Sequence, residues 1–443
     1  MSVNRIHPRI VDPAICLSGC TCGGVHPTPE VTLYSGEDAC QIMAEDCRSL
    51  YADKPVFLLY DPQTGAVAGI ELQQQLTLVG VSVIPFVLPE EPSADDKTID
   101  EVREACRDAA LVISVGSGTI NDLGKYSAFH EEIDFWSMPT APSMNGYTSS
   151  IAAIKVKGVK RTLPAAPPQR IYVRPTVIQK APIKLRQSGF CDVLAKVVSD
   201  IDWQSESLLF SDGYCGLPSN MMAAVEHSYS DCPEAIGNGD EEAVNGLFHG
   251  LLISGVAMSL AGSSAPASGG EHLVSHFWDM REPLTGREPE LHGLQVGLGI
   301  ILSAACYRLL TQVNPDSLKG RAEQAFVETS AQISGIWGPY ADEVAKQFSR
   351  KQSALQQFDT LLPQHWQSLQ GLFSQVRSPE YFADLFTRVG APFSLDAFNL
   401  SRDEYILAAL NARAIRERIT VLDFAAHAGV LNAAIEESLQ LIH

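Results

Sequence analysis

Basic side chains are scarce: 32 Lys and Arg stand against 52 Asp and Glu in 443 residues, a formal net charge of −20. A field of that sign repels nucleic acid and anionic membrane surfaces, so neither is expected as a partner, and an anionic substrate needs its own basic pocket. Cysteine is also sparse. Ten over this length do not make a disulfide framework, so reduced thiols and a cytoplasmic setting are expected. The opening residues, MSVNRIHPRI, hold no apolar segment, and no signal peptide is read there. The most apolar long run, Leu247 to Ala261, is interrupted by His249, Gly250, Ser254 and Gly255, which suits a buried core helix and not a membrane span. Internal repeats and low-complexity segments are absent. What is present is core-forming material, 45% hydrophobic and 19% charged, in a chain long enough for two domains.

The first part alternates strand and helix patterns. Helical spacing over Glu37 to Tyr51 leads to an apolar strand, Val56 to Tyr60, with Asp61 at its carboxyl end. A helix over Ala66 to Leu78, a strand over Val81 to Val87 and a helix over Thr98 to Ala109 follow. Such alternation predicts a doubly wound, mostly parallel sheet whose ligands lie beyond the carboxyl ends of the strands. The stretch Leu111 to Ser150 organises this part. Its β-branched run stops at Gly116-Ser117-Gly118, and a helix begins at Thr119 and continues through Ile120, Asn121 and Asp122. Strand, glycine turn and helix start in succession present backbone N–H groups to a phosphate. A second small-residue turn, Pro139-Thr140-Ala141-Pro142-Ser143, comes one helix and one strand later and is expected to line the other side of a dinucleotide cleft. Gly116-x-Gly118 lacks the third glycine of the dinucleotide fingerprint. Asp122 would repel a phosphate unless its carboxylate caps N–H groups or contacts the sugar or nicotinamide end. Asp61 either accepts hydrogen bonds from a ribose, which would favour NAD over NADP, or caps a turn.

Lys155 to Lys160 alternates about Gly158 and reads as a hairpin whose lysines are a solvated face or an anion pocket. Prolines from Pro164 to Pro182 mark the end of the α/β part, and the boundary is placed at 184, with domains 1–184 and 185–443. Beyond it the pattern is helical: a loop with short helices over Gly213 to Glu242, then helices at Glu241 to Ala261, Glu271 to Met280, Gly293 to Thr311 and Arg321 to Gly335. Three places in this all-α part put metal-ligand types beside small residues at helix starts: Asp192, the pair His272 and His276, and His292. Helix starts are where a domain meets its neighbour, so the three are expected to converge. One carboxylate and two imidazoles suit a catalytic divalent ion. Spacing alone would choose His276 as a ligand, and would equally allow Asp192 with Lys196 as a surface ion pair. Cys20, Cys22 and His26 look like half of a metal site.

Together these motifs resemble the glycerol dehydrogenase and dehydroquinate synthase superfamily, which includes the iron-containing alcohol dehydrogenases. Within it they resemble the bacterial sn-glycerol-1-phosphate dehydrogenases. The resemblance rests on GSGTINDLGK at 116–125, PTAPSMNGYTSS at 139–150, SGFCDVLAK at 188–196, SGGEHLVSHFWDM at 268–280, LHGLQVG at 291–297 and IRERITVLDFAAHAG at 415–429. It also takes in DW at 202–203 and CTCGGVH at 20–26. It implies a nucleotide-binding α/β domain and a helical metal-binding domain. By position it implies Asp192, His272 and His292 as ligands of Zn²⁺ or Ni²⁺, with Fe²⁺ as a further option, and His276 as a substrate contact. Asp61, Gly116 to Asp122, Thr140 to Ser143 and Ser149 match cofactor contacts for NAD(H) or NADP(H). Such enzymes, of phospholipid metabolism, interconvert dihydroxyacetone phosphate and sn-glycerol 1-phosphate, and a homodimer is implied by analogy.

Two positions depart from that pattern. Relatives typically carry Asp where this chain has Asn145, at a substrate contact, and an acidic residue where it has Arg174. Three readings follow: this dehydrogenase or one for another polyol or phosphorylated ketone, a dehydroquinate-synthase-like lyase, or a catalytically altered relative. The second fits less well, because its third metal ligand is a Glu in the helical domain.

Overall fold

The computed structural model describes residues 8–11, 20–211, 213–287, 290–318, 330 and 332–442. By packing, the chain divides into two compact units, Met1–Val193 with Gly216–Ser264, and Leu194–Cys215 with Ala265–His443.

The first unit is built on strands β1 (Thr32–Ser35), β2 (Val56–Tyr60), β3 (Val83–Val87), β4 (Leu111–Gly116), β5 (Asp134–Pro139) and β8 (Arg170–Val173). They form one parallel sheet in the order β1-β8-β5-β4-β2-β3. β2 and β4 are apolar on both faces because both faces are covered. Val56, Leu58, Tyr60, Leu111, Ile113 and Val115 enter a core with helices Ala39–Tyr51 and Ile70–Leu78. Phe57, Leu59 and Val112 enter the opposite core, with helices Asp96–Cys106 and Gly118–His130. Each such side chain removed from water contributes about 1.5–3 kcal/mol, which explains the unbroken hydrophobic runs. From β2 the chain steps out to β3 and then returns to β4 on the other side of β2. The strand order therefore reverses between β2 and β4, and the crevice of a doubly wound sheet opens at the carboxyl ends of that pair. Those ends are Asp61 and Gly116.

The expected hairpin is present: β6 (Ile151–Val156) and β7 (Val159–Pro164) pair antiparallel. Two strands go unannounced by the sequence pattern. β1 and β8 are short, and β8 lies among the prolines that seemed to end the sheet. The boundary at 184 also differs from the observed packing. Helices Gly216–Val225, His227–Ser230, Pro233–Asn238 and Glu241–Ala261 belong with the sheet. The Thr148 hydroxyl donates to the Leu252 carbonyl at 2.6 Å, Ser259 Oγ donates to the Thr148 carbonyl at 3.1 Å, and Phe248 meets Tyr147 edge to face. Helical composition reveals secondary structure, and it is silent on which core buries the helix. Helix Glu241–Ala261, apolar enough to cross a membrane by composition, is mostly buried inside this unit.

The second unit is helical among its described residues. Helices Gly270–Thr285 and His292–Leu310 pack against each other and carry the three histidines. The helix expected over 321–335 falls largely outside the described residues. Two buried polar hubs tie the unit together. Asp202 accepts from Gly270 N at 2.7 Å, Val421 N at 2.6 Å and the Tyr307 hydroxyl at 2.5 Å. Lys351 Nζ donates to Asp423 and to the Arg413 carbonyl, both at 2.8 Å.

Candidate active site

β4 ends at Gly116, opposite Pro139 of β5, and Thr140 N donates to the Gly116 carbonyl at 3.2 Å. The two small-residue turns are therefore neighbours, as the sequence led us to expect. Ser117 is extended and caps helix Gly118–His130, whose first N–H groups have no intrahelical acceptor and carry the positive end of the helix dipole. The glycine missing from the fingerprint has a counterpart further along. A Cβ at Gly124 would lie 2.0 Å from Ser114 Oγ and 3.2 Å from the Phe135 ring, so this residue lets the helix close onto the sheet. Ile120 and Asn121 turn inward. Ile120 is buried over Gly116, and the Asn121 carboxamide oxygen accepts from Ser137 Oγ at 2.8 Å, while its buried Nδ2 makes no hydrogen bond.

The Asp122 carboxylate is tied up. One oxygen accepts from Ala153 N at 3.0 Å, and the other lies 3.1 Å from Lys125 Nζ. Lys125 is fully buried and donates to the Gly146 carbonyl at 2.8 Å and to Ser149 Oγ at 3.3 Å. Burial holds its pKa down, opposed by the charge of Asp122. Sequence reasoning missed Lys125. The available signal was an Asp at i−3 on the inward side of an otherwise apolar helix. Ser149 has no exposed surface, and its hydroxyl bonds the Gly146 and Ile151 carbonyls, so in this structure it supports the loop.

Asp61 takes the capping role. Its Oδ1 accepts from Thr64 N at 2.7 Å and Thr64 Oγ1 at 2.9 Å in a reciprocal capping box that starts the helical segment at Pro62. The turn Thr140 to Ser143 is buried, and Ser188 Oγ donates to the Ser143 carbonyl at 3.1 Å. A Cβ at Gly189 would stand 1.9 Å from the Pro142 carbonyl oxygen, so helix Ile183–Leu194 can lie against this turn only with glycine there. One turn on, Asp192 is buried, and its two oxygens accept from Asn145 N at 2.9 Å and Asn145 Nδ2 at 3.1 Å. An Asp at 145 would lose the second donor and oppose a like charge, so the amide fits this neighbour. Lys196 is buried too and donates to the Ala267 carbonyl at 3.2 Å, so neither Asp192 nor Lys196 lies on a solvated face. Arg174 pairs with Glu71 at 2.6 Å and lies 3.9 Å from Glu37. In the hairpin, Lys155 N donates to the Ala94 carbonyl and Lys157 N to Asp96.

In the second unit, the His272 ring centroid lies 5.1 Å from that of His292, and His276 stacks on His292 at 5.2 Å. His272 Nδ1 is 2.9 Å from Glu271 Oε1, a fully buried carboxylate that also accepts from Gly269 N at 2.8 Å. An ionised carboxylate only accepts, which assigns the ring proton to Nδ1 and the lone pair to Nε2. His292 Nδ1 is 2.9 Å from Ser275 Oγ, whose own hydrogen is directed at Gln295 Oε1, 3.4 Å away. Both rings thus turn Nε2 away from these partners, the donor set and outer partners of a divalent metal site. His276, Asp279 and His292 also offer ligand atoms within 4.8 Å of one another, so geometry within this unit keeps His276 close to the imidazole pair. Beneath the helix start, burial and the nearby charge of Glu271 push Asp202 up to about 8.

Residues 34–182 match the family described as iron-containing alcohol dehydrogenase. A glycerol-1-phosphate dehydrogenase [NAD(P)+] of Bacillus licheniformis is 32% identical over 301 residues, 66% of this chain and 75% of the relative. One from Bacillus subtilis is 28% identical over 378 residues, 83% of this chain and 84% of its own length. Among solved structures, a probable glycerol dehydrogenase from Sinorhizobium meliloti superposes with a TM-score of 0.61 over 94% of this chain and 99% of that one, at 16% identity. That likeness concerns the fold. The sequence relatives carry the family: this chain belongs to the glycerol-1-phosphate dehydrogenases of the iron-containing alcohol dehydrogenase group.

Proposed function

We propose that the chain is a metal-dependent, NAD(P)H-linked oxidoreductase that interconverts dihydroxyacetone phosphate and sn-glycerol 1-phosphate. The observation that carries this reading is the pair His272 and His292, each with Nδ1 engaged and Nε2 directed away from its partner. Asp192 is proposed as the third ligand, steadied by the two Asn145 donors. For the dinucleotide we propose the backbone of Gly116 to Asp122, the turn Thr140 to Ser143 and the unengaged carboxylate oxygen of Asp61, and we retain Ser149 as a support of that loop. When bound, the dinucleotide supplies hydride and the ion polarises the ketone oxygen.

The chain's own residues do the rest. Lys125 offsets the Asp122 charge, so the helix start faces a diphosphate with its N–H groups and dipole undiminished. Glu271 fixes the tautomer of His272 and raises its basicity. His276, one turn beyond, is proposed to hydrogen-bond the substrate oxygen and hold the proton that the new hydroxyl receives. NAD is favoured over NADP by the charge of Asp61, and a cytoplasmic homodimer completes the reading. Asn145 supports a second reading, a relative with altered substrate, because its amide is spent on Asp192.

One assay tests the choice. Protein loaded with Zn²⁺ or Ni²⁺ is expected to oxidise NADH with dihydroxyacetone phosphate. His292→Ala is expected to lose its metal and about 10³-fold in turnover. Turnover of another ketone but not this one overturns the substrate. Dinucleotide binding without turnover of any ketone overturns the enzyme.

A further inference from the structure

Cys20, Cys22 and His26 lie apart in sequence from every group used above, and the structure closes them into one cluster within the first unit. Cys20 Sγ is 3.0 Å and Cys22 Sγ 3.1 Å from His26 Nε2, and the two sulfurs are 3.4 Å apart. A tetrahedral zinc ion with Zn–S of ~2.3 Å and Zn–N of ~2.0 Å needs these ligand atoms roughly 3.5–3.8 Å apart, so the cluster encloses a site of that size after outward shifts of a few tenths of an ångström.

Two further features point to an ion. The other ring nitrogen of His26, Nδ1, is 2.9 Å from the Leu260 carbonyl, near the end of helix Glu241–Ala261, where carbonyls lack helical partners. That carbonyl can only accept, so a proton sits on Nδ1 and Nε2 is the ring nitrogen that faces the sulfurs, the outer-shell arrangement of a metal-bound histidine. Gly24 N also donates to Cys22 Sγ at 3.2 Å. The backbone reaches this position through a positive φ of 74° at Gly23, and an N–H aimed at sulfur stabilises a thiolate. Cysteine sulfur with one imidazole selects Zn²⁺ among common divalent ions, unlike the imidazole and carboxylate set of the catalytic site.

We propose that Cys20, Cys22 and His26 hold a zinc ion separate from the catalytic one. The ion would anchor the segment before β1 to the end of helix Glu241–Ala261.

Cobalt-substituted full-length protein tests this. Thiolate ligands produce a near-ultraviolet charge-transfer band, whereas a site of imidazole and carboxylate produces none. The expected result is a band retained in His272→Ala and lost in Cys20→Ser and Cys22→Ser. Elemental analysis should give one ion fewer per chain in Cys22→Ser, with its circular dichroism unchanged. Folded wild-type protein with no such band, or an intact mass showing Cys20 and Cys22 oxidised to a disulfide, overturns the site.

Discussion

The two units hold their candidate groups by different means. In the first, the groups offered to a ligand are mostly backbone, and glycines that admit close approach set their positions: Gly124 against Ser114, and Gly189 against Pro142. In the second, they are ring nitrogens, aimed by hydrogen bonds that the opposite ring nitrogens donate to Glu271 and Ser275. Their buried charges differ as well. Lys125 is paired with the opposite charge of Asp122, while Asp202 lies near the like charge of Glu271. A site built from backbone should fail through steric change, and one built from side chains through electronic change.

The largest effect is therefore expected at Gly189. In Gly189→Ala the new methyl meets the Pro142 carbonyl oxygen at 1.9 Å, and backbone cannot retreat without moving the turn Thr140 to Ser143. A loss of about 3 kcal/mol in urea unfolding is expected. Gly124→Ala meets a side-chain oxygen instead, so it should cost less and be rescued by Ser114→Ala, whose remaining Cβ lies at 3.4 Å. Failure of that rescue would mean that the whole helix start, and not one hydroxyl, sets the spacing.

In the second unit the matching test changes charge with little change in shape. Glu271→Gln removes the ionised acceptor on His272 and is expected to weaken metal binding about 10- to 100-fold in chelator competition. Ser275→Ala removes a neutral partner of His292 and should fall at or below the lower end of that range. Equal losses would show that orientation alone matters. A loss from neither would break the comparison between the units.

What the sequence made legible follows the same division. β2 and β4 could be read because both of their faces are buried, and so could the turn at Gly116. β1 and β8 could not, since four-residue strands among prolines have too little pattern. The histidines and Asp192 could be named from their residue types and resemblance. Lys125 could not, because a lysine in the middle of a helix reads as surface until its burial against Asp122 is seen. Nor could Cys20, Cys22 and His26 be completed, since proximity along the chain does not show that His26 is anchored by Leu260, more than half the chain away.

A smaller effect separates the two roles of Asp61. Asp61→Ser keeps an N-cap acceptor for Thr64 and removes the charge, whereas Asp61→Ala removes both and should cost about 1 kcal/mol of stability. If the carboxylate also faces the ribose, Asp61→Ser should shift the NADPH-to-NADH preference by about tenfold with stability almost unchanged, roughly one pair of charges near a protein surface. An unchanged preference would confine Asp61 to capping.

The smallest effect concerns the like-charge pair. Burial, then Glu271, raise Asp202 from 3.8 to about 8 in the folded protein, against the donors Tyr307, Gly270 and Val421. A raised carboxyl binds its proton more tightly when folded, so its contribution to stability is complete below pH 4 and is lost as pH rises to about 8. Asp202→Asn does not titrate and gives up one acceptor. It should be less stable than the parent at pH 4.5, and the gap should narrow steadily towards pH 8 in urea midpoints measured on metal-free protein. A gap that stays constant would mean the three donors outweigh burial and keep Asp202 ionised throughout. Its charge would then be held by hydrogen bonds as firmly as that of Lys125 is by its partner, and the electrostatic difference between the units would disappear.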